Sequence, residues 1–353
     1  MSDEVGLVVC REAAIYKLSD THPLTPERVL LTLDLIEAFG LDRLPNVHRI
    51  DCRAATDEEV RFVHSEEFVD ATKRAGRGEV GPWSRYGYGP GDNPIFANMH
   101  EAGALVAGAT LAAADDVLAG GSQHAFNPSG GLHHAMPNRA AGFCVYNDVA
   151  IAIAWLLRQG IERVAYVDVD VHHGDGVQEI FYSDLRVLTA SIHEFDFGFF
   201  PGTGDRDETG AGEAKGTAVN VPLPGGIGDE RWLEGLRTEI LPRVRDFAPQ
   251  ILVTQLGADT HATDPLATLQ LTTRAYREAA RDLHDLAHDV CGGRWLATGG
   301  GGYSLTAVPR AWTIYFAAMC GIELPDELPE GFVRIAEERL GRAVPSRLDD
   351  PQI

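Results

Sequence analysis

Lysine is nearly absent from this chain of 353 residues, which contains only Lys17, Lys73 and Lys215. Acidic residues outnumber lysine and arginine together by 52 to 30, and the formal net charge is -22. A surface of this sign repels nucleic-acid phosphates and anionic lipid headgroups. The composition therefore argues against a nucleic-acid partner and against a membrane partner, while cationic partners remain compatible with it.

Cysteine and long apolar runs are also scarce. The chain has five cysteines, which are Cys10, Cys52, Cys144, Cys291 and Cys320. They form no Cys-x-x-Cys motif and are odd in number, which favours reduced thiols over a disulfide framework. The first residues lack the basic segment of a secretion signal, and no apolar run approaches the length of a membrane span. We therefore expect a cytoplasmic protein without a membrane segment.

The chain does contain ample material for a core, since 44% of its residues are hydrophobic. Short apolar runs alternate with segments of helical spacing, and this order is typical of a parallel sheet flanked by helices. We therefore predict one α/β domain and not two. Beyond Gly321 the sequence becomes acidic and rich in proline, and residues 345–353 are predicted to form a frayed or docked tail.

The most informative stretch is residues 167–176, with the sequence VDVDVHHGDG. Asp168, Asp170 and His172 alternate with valines, so in an extended strand these three polar side chains share one face. Burying unpaired charges is costly, and a bound cation is the simplest compensation. The alternative is an exposed edge strand with a polar face, which the apolar residues on its other face disfavour.

Two later strands have the same design. One ends in Asp259, and the other ends in a run of four glycines followed by Tyr303. Because parallel strands place their carboxyl ends at one edge of a sheet, Asp170, His172 and Asp259 are predicted to converge there. Three such ligands leave an open position, as in catalytic zinc sites. Tyr303 could donate a hydrogen bond to an oxyanion, or it could be an ordinary loop aromatic.

The adjacent residues His133 and His134 follow another predicted strand and a Gly-Gly pair. One histidine at such a place is more often part of a core, but two beside a metal cluster indicate acid–base catalysis. Imidazoles need orienting carboxylates, and the ligand set leaves Asp168 and Asp175 free for that purpose. Together these groups predict metal-assisted hydrolysis.

Six motifs carry a resemblance to a known family. They are GGLHHA at 130–135, GFC at 142–144, DVDVHHGDG at 168–176, FPGTG at 200–204, GAD at 257–259 and GGGGY at 299–303. Over about residues 7–321 the chain resembles the zinc-dependent histone deacetylase family, and within it the bacterial acetoin-utilisation deacetylases, which are similar to class I histone deacetylases.

The resemblance implies the arginase-deacetylase fold, in which helices flank a mostly parallel eight-stranded sheet. It implies a single deacetylase domain over residues 1–353, with an acidic C-terminal extension at 322–353. The implied activity is hydrolytic removal of acetyl groups from acetyl-lysine side chains in proteins. The oligomeric state stays open.

The same resemblance assigns roles to individual residues. It implies one zinc ion held by Asp170, His172 and Asp259, and a catalytic set of His133, His134, Asp168, Asp175 and Tyr303. The aromatic walls of the acyl-lysine channel match Phe143 and Phe200, and further substrate contacts are expected from Leu266, Gly301 and Asp92. Arg28 matches an arginine that lines an internal product cavity. Leu132 stands where many relatives have tryptophan.

Potassium is a second implied cofactor. One site would use Asp168, Asp170, His172, Ser191 and Ile192, and a more distant site would use Phe181, Asp184, Val187 and Thr217. His261 lies two residues after Asp259, where dinuclear manganese relatives such as arginase place a second acidic ligand. We interpret His261 as a pocket wall, with a metal ligand as the alternative.

Three other functions compete with lysine deacetylation. An acetylpolyamine amidohydrolase is the nearest, because an acidic surface attracts polyamines as readily as lysine-rich proteins. A dinuclear ureohydrolase shares the implied fold, but only His261 supports it, and fold alone does not fix function. A catalytically silent acyl-lysine-binding protein would be expected to lack a metal ligand or Tyr303, and this chain lacks neither.

Overall fold

The computed structural model describes residues 3–351. It contains eight strands, which are β1 (Val5–Val8), β2 (Val47–Ile50), β3 (His124–Asn127), β4 (Val164–Asp168), β5 (Val187–Glu194), β6 (Ala218–Leu223), β7 (Ile251–Gln255) and β8 (Trp295–Thr298). They form one sheet in the order β2-β1-β3-β8-β7-β4-β5-β6, and every neighbouring pair is parallel. The predicted α/β class is confirmed, and the sheet is wholly parallel.

Eleven α-helices lie in the described part of the chain. They are α1 (Glu27–Ala38), α2 (Asp57–Val60), α3 (Glu66–Gly76), α4 (Met99–Ala119), α5 (Asp148–Arg158), α6 (Asp175–Phe181), α7 (Asp229–Gly235), α8 (Leu241–Phe247), α9 (Thr273–Cys291), α10 (Val308–Met319) and α11 (Glu330–Leu340). Helices α3, α4 and α5 pack together, and α1, α9 and α10 form a second packed group.

Strand β4 shows why helices cover both faces of the sheet. Ala165 and Val167 pack into one hydrophobic core, whereas Val164 and Tyr166 pack into the other. All four are buried. A parallel strand that is buried on both faces has a continuous run of apolar residues, and the sequence of β4 shows this pattern.

Strand β4 is shorter than predicted, because it ends at Asp168 and not at His172. Side chains take over the hydrogen bonds that a sheet ladder would make. The Asp168 carboxylate accepts a bond from the Asp170 backbone N–H at 3.1 Å, and the Asp170 carboxylate accepts one from the His172 N–H at 3.0 Å. Aspartate competes with regular structure in this way. Asp170 and His172 therefore lie in the turn beyond the sheet edge.

In the sequence, Thr25 followed by Pro26 predicts Thr25 as the N-cap of α1 and Pro26 as its first helical residue, and the start of the helix differs slightly from this prediction. Pro26 occupies the N-cap position, and the helix begins at Glu27. Among residues 3–351, the Thr25 hydroxyl has no hydrogen-bond partner. The cap bond predicted for Thr25 is thus absent from the described structure.

Helix α4 is long and apolar enough to cross a membrane by length and composition, contrary to the expectation that no segment would be. Its most apolar window is 67% buried inside the protein. A helix buried to this extent is part of the protein core, and α4 packs against β3 and α5.

The expectation that all cysteines are reduced thiols is wrong for two of them. Cys10 and Cys52 form a disulfide, with their Cα atoms 5.6 Å apart. Each lies two residues beyond the end of a strand, and β1 and β2 are neighbours in the sheet. An odd number of cysteines does not exclude a single disulfide between two of them. Cys144, Cys291 and Cys320 are buried free thiols.

The C-terminal residues dock on the domain as far as they are described. Leu348 is fully buried, and its carbonyl accepts a hydrogen bond from the Arg310 guanidinium at 2.9 Å. The Asp350 carboxylate contacts Arg310 at 2.9 Å and accepts the Thr273 N–H at 2.9 Å.

Candidate active site

The segments that follow β3, β4, β7 and β8 meet at the carboxyl edge of the sheet. His133 and His134 come after β3, and Asp168 is the last residue of β4. Asp259 follows β7, and Tyr303 follows β8. The convergence expected from parallel strands is therefore present in the structure.

Asp170, His172 and Asp259 form a compact group whose donor atoms lie within 4.8 Å of one another. The His172 Nδ1 atom is 3.1 Å from Asp170 Oδ1 and 3.2 Å from Asp259 Oδ2. Both carboxylates are fully buried, and His172 is 9% exposed. Two carboxylates and one imidazole around a single point are the donor set of a catalytic divalent metal.

The electrostatics of this group also fit a cation. Burial, followed by the charge of Asp170, raises the pKa of Asp259 to about 7. Burial lowers the pKa of His172, but hydrogen bonds that its imidazole donates to Asp170 and Asp259 outweigh burial and raise that pKa to about 10. Adjacent buried carboxylates repel, and a bound cation relieves that repulsion.

The two carboxylates of this group have enough room only because the residues packed against them, Gly257 and Gly301, have no side chain. A Cβ atom on Gly301 would collide with the Asp259 carboxylate, and one on Gly257 would collide with that of Asp170. The Gly301 N–H instead donates to Asp170 Oδ2 at 2.7 Å. The residues present thus fit a metal ion.

Two more hydrogen bonds orient the two carboxylates. The Gln255 Nε2 atom donates to Asp170 Oδ2 at 2.6 Å, and the Val171 N–H donates to Asp259 Oδ1 at 2.9 Å. The Gln255 Oε1 atom is itself fixed by the Gly257 N–H at 2.7 Å. Such outer contacts hold ligand geometry and support metal affinity.

Each of the two adjacent histidines is held by its own carboxylate. The His133 Nδ1 atom is 2.7 Å from Asp168 Oδ2, and the His134 Nδ1 atom is 2.6 Å from Asp175 Oδ1. The Tyr166 hydroxyl also donates to Asp168 Oδ2, at 2.5 Å. Both imidazole rings are therefore oriented through their Nδ1 atoms, and their Nε2 atoms lie on the opposite side of the ring.

The environments of the two imidazoles differ. Burial lowers the pKa of His133, but Asp168 and Asp170 outweigh it and raise that pKa to about 9. Burial, followed by the charge of His133, lowers the pKa of His134 to about 4, and Asp175 only partly opposes this.

Tyr303 is held in place through its backbone and through its ring. Its N–H donates to Asp264 Oδ2 at 2.6 Å, and its ring packs edge-on against Phe143 at 5.7 Å. Burial, followed by the charge of Asp259, raises the pKa of the Tyr303 phenol well above its usual range. It therefore keeps its proton at neutral pH.

Arg28 is buried and not a solvated charge. Its guanidinium donates to the carbonyls of Gly300 and Gly302 at 2.7 and 2.9 Å, and it lies 5.8 Å from the centre of the Tyr303 ring. Arg28 thus anchors the glycine run that carries Tyr303. The role of Arg28 in a product cavity stays a prediction.

The two predicted channel aromatics flank this site from different loops. The Phe200 ring lies edge-on to His134 at 4.9 Å, and Phe200 is 39% exposed. The Phe143 ring contacts His22 at 4.4 Å. Phe143 has a φ of 70°, and the Tyr16 hydroxyl donates to its carbonyl at 2.8 Å.

The other predicted substrate contacts lie at or near the same edge. Asp92 is exposed and lies close to the His22 side chain. Leu266 is 37% exposed, and its N–H donates to Asp264 Oδ1 at 3.0 Å. A narrow cavity lies at this site and is lined by Leu24, Gly131, Leu132, His133, His134, Gly142, Cys144, Asp170, Gly300, Gly301 and Tyr303.

Both predicted potassium sites include residues of β5. In the first set, Ser191 is the cross-strand partner of Asp168, and Ile192 follows it in β5. In the second, the Phe181 carbonyl accepts the Asp184 N–H at 2.9 Å, and the Asp184 carbonyl accepts the Val187 N–H at 3.1 Å. Both sites stay predictions, as does the role of Thr217.

His261 does not belong to the group of metal donors. Its Nε2 atom contacts Asp350 Oδ2 at 2.9 Å, and its ring stacks on Tyr276 with centroids 6.1 Å apart. The residue therefore links the segment after Asp259 to the docked C-terminal tail, and its role as a pocket wall stays a prediction.

Sequence reasoning missed several residues that support the site. They are Tyr16, Tyr166, Phe199, Gln255 and Asp264. Of these five residues, only Phe199 could have been suspected from the sequence, because it lies in a loop rich in aromatic residues. Its ring stacks on His172 with centroids 5.2 Å apart and an interplanar angle of 8°. The other four look like ordinary strand or loop residues in the sequence.

A family model described as "Histone deacetylase domain" matches residues 22–319. This chain belongs to the histone deacetylase family. The acetoin utilization protein AcuC of Bacillus subtilis is 42% identical over 339 residues, which cover 95% of this chain and 87% of that protein. A protein of Archaeoglobus fulgidus described as a probable deacetylase is 38% identical, over 90% of this chain and 87% of that protein.

Solved structures agree with this assignment. The crystal structure of a histone deacetylase homologue from Aquifex aeolicus has a TM-score of 0.88 and 32% identity, covering 99% of this deacetylase and 95% of that chain. A structure of a homologue complexed with SAHA gives the same values. The predicted family and fold are confirmed. Membership makes this chain a metal-dependent deacetylase, and Asp170, His172 and Asp259 are its candidate metal centre.

Proposed function

We propose that this deacetylase binds one zinc ion on Asp170, His172 and Asp259 and hydrolyses the side-chain amide of acetyl-lysine in proteins. One observation carries the proposal. The buried donor group and the two carboxylate-held histidines lie together beside Tyr303. Metal, acid–base groups and oxyanion donor are the parts that hydrolysis of an amide requires.

The histidines handle the protons in this proposal. When bound, the zinc ion would supply Lewis acidity toward a water molecule and the amide carbonyl. The Nδ1 atoms of His133 and His134 are engaged by carboxylates, which leaves their Nε2 atoms to accept a proton from water and to donate one to the leaving amine. The His133 Nε2 atom lies 3.9 Å from Asp170 Oδ2, beside the donor group.

Tyr303 supplies the hydrogen bond to the developing oxyanion. Tyr303 lines the same cavity as Asp170, and burial, followed by the charges of Asp259 and Asp170, raises the pKa of its phenol. Asp264 holds its backbone, and Arg28 holds the glycines before it. A donor fixed in advance loses little free energy in reorganising as negative charge forms.

The substrate stem is a chain of methylene groups, for which aromatic walls are suited. Burying each CH₂ contributes about 0.8 kcal/mol. Phe143 and Phe200 flank the histidines and Tyr303, and Asp92, Leu266 and Gly301 complete the proposed contact set. We also propose that potassium binds at the two predicted potassium sites. A cytoplasmic location stays a prediction.

An acetylated polyamine is the second candidate substrate. The net charge of -22 favours it, because a polycation is attracted to this surface over a long range. Asp92, exposed next to His22 at the edge of the site, could contact a second amine of such a substrate.

Turnover of two substrate classes by one preparation tests the proposal. The purified chain is assayed on acetyl-lysine peptides and on acetylpolyamines, and zinc is measured in the same samples. We expect a higher kcat/KM for the peptides, and we expect Asp259→Ala to lose both turnover and one equivalent of zinc. A higher kcat/KM for acetylpolyamines would select the second substrate. No turnover of either class by zinc-loaded protein would identify a silent binding protein.

A further inference from the structure

Three histidines and an aspartate meet at the end of the sheet opposite the active site. His124 is the first residue of β3, whose last residue, Asn127, leads toward the site. His284 and His288 are four residues apart on α9, so they share one face of that helix. Asp3 lies just before β1.

The four side chains are arranged around one point. The Asp3 Oδ2 atom lies 3.2 Å from the His288 Nε2 atom, 3.4 Å from that of His284 and 3.5 Å from that of His124. One donor atom from each residue lies within 4.8 Å of all the others. In a tetrahedral zinc site with ligand bonds of 2.0–2.1 Å, neighbouring ligand atoms are about 3.3–3.4 Å apart. The contacts of Asp3 have this length.

Hydrogen bonding within the described residues accounts for only part of the cluster, namely the contact of the His288 Nε2 atom with Asp3 Oδ2. His124 is fully buried, and among residues 3–351 neither of its ring nitrogens has a hydrogen-bond partner of normal geometry. Within the same residues, the Nε2 atom of His284 also has none. Buried polar atoms are rarely left in this state.

We propose that Asp3, His124, His284 and His288 bind a divalent transition-metal ion of the zinc class, separate from the active site. Three imidazoles and a carboxylate suit zinc, cobalt, nickel or copper and not magnesium or calcium. Four protein ligands leave no open position, which is typical of a structural ion. Such an ion would tie the segment before β1 to β3 and α9.

Metal counting on the full-length chain without an affinity tag tests this site. After loading with Zn²⁺ and removal of unbound ions, we expect His284→Gln/His288→Gln to hold one equivalent less than the unaltered protein. Glutamine is a good helix former, so α9 should persist. His48→Gln is the matched control. His48 has the same 39% side-chain exposure as His288 and one carboxylate partner, Asp116, and this variant should lose no zinc.

Two further readouts separate a bound ion from a hydrogen-bonded cluster. Asp3→Asn should also lower the zinc content by one equivalent, and it decides the matter if the double variant does not fold. Turnover of both variants should match that of the unaltered protein, because the cluster lies at the far end of the sheet. Unchanged zinc content in Asp3→Asn, or in a folded double variant, would overturn the proposal.

Discussion

Gln255 holds Asp170 by a hydrogen bond of 2.6 Å from its Nε2 atom to the Oδ2 atom of the carboxylate. Both side chains are fully buried. A neutral amide therefore fixes the position of a proposed metal ligand from within the sheet. The Oε1 atom of the same amide accepts the Gly257 N–H at 2.7 Å, so the amide cannot rotate freely.

Replacing this amide should weaken metal binding. Gln255→Met keeps the length of the side chain but removes the donor, and loss of such an outer contact typically costs about 10- to 100-fold in metal affinity. Competition with a chelator measures that affinity. Gln250→Met is the control, because Gln250 precedes the same strand and, among residues 3–351, its side chain bonds to the backbone N–H groups of residues 162 and 163. Equal affinities in the two variants would contradict the role of Gln255.

Phe200 should matter for binding of the acyl-lysine stem. Phe200→Ala removes one aromatic wall, and losing about 1–2 kcal/mol of apolar contact corresponds to a roughly 5- to 30-fold rise in KM for acetyl-lysine peptides. Phe197→Ala serves as the matched control, since Phe197 lies in the same loop and is wholly exposed. If the two variants had the same KM as the unaltered protein, the channel would lie elsewhere.

The parts of the site that follow from strand order could be predicted from the sequence. Asp168 and Asp259 end or follow apolar runs, and parallel strands bring such residues to one edge. Tyr16 could not be found in this way, because it contacts Phe143 across 127 residues of sequence. Gln255 is one polar residue in an apolar strand, and no periodicity shows which partner it reaches.

Contacts between residues far apart in the sequence also explain why the disulfide and the histidine cluster were not predicted. The disulfide between Cys10 and Cys52 requires β1 and β2 to be neighbours, and the short β2 has no strong apolar pattern of its own. The cluster of Asp3, His124 and His284 likewise joins residues far apart in the chain. Local patterns predict elements and the edge where they end, but they do not predict which side chains meet across the fold.

The docked tail should contribute stability that depends on pH. Burial alone would raise the pKa of Asp350, but the hydrogen bond from His261 and the charge of Arg310 outweigh it and hold that pKa well below the usual range. A carboxyl with a depressed pKa in the folded state stabilises it above the unfolded pKa of about 3.9, and this contribution is lost as the pH falls further.

Asp350→Asn should therefore lower the free energy of unfolding at pH 7 by about 1–3 kcal/mol, because it weakens charge-assisted bonds to Arg310 and His261. Urea unfolding at pH 7 and at acid pH measures the effect, and the difference from the unaltered protein should shrink at the lower pH. Asp289→Asn, which breaks an exposed pair with Arg245, should cost less than about 1 kcal/mol. Equal losses in both variants would refute a special role for the tail.

Turnover of Tyr303→Phe tests the central claim most directly, because this variant keeps the ring and deletes only the proposed oxyanion donor. Tyr315→Phe is its control, since the buried Tyr315 hydroxyl has no hydrogen-bond partner among residues 3–351. We predict a roughly 10²- to 10³-fold loss of kcat on acetyl-lysine peptides for Tyr303→Phe, at unchanged metal content, and no loss for the control. Full turnover by metal-loaded Tyr303→Phe would contradict the account.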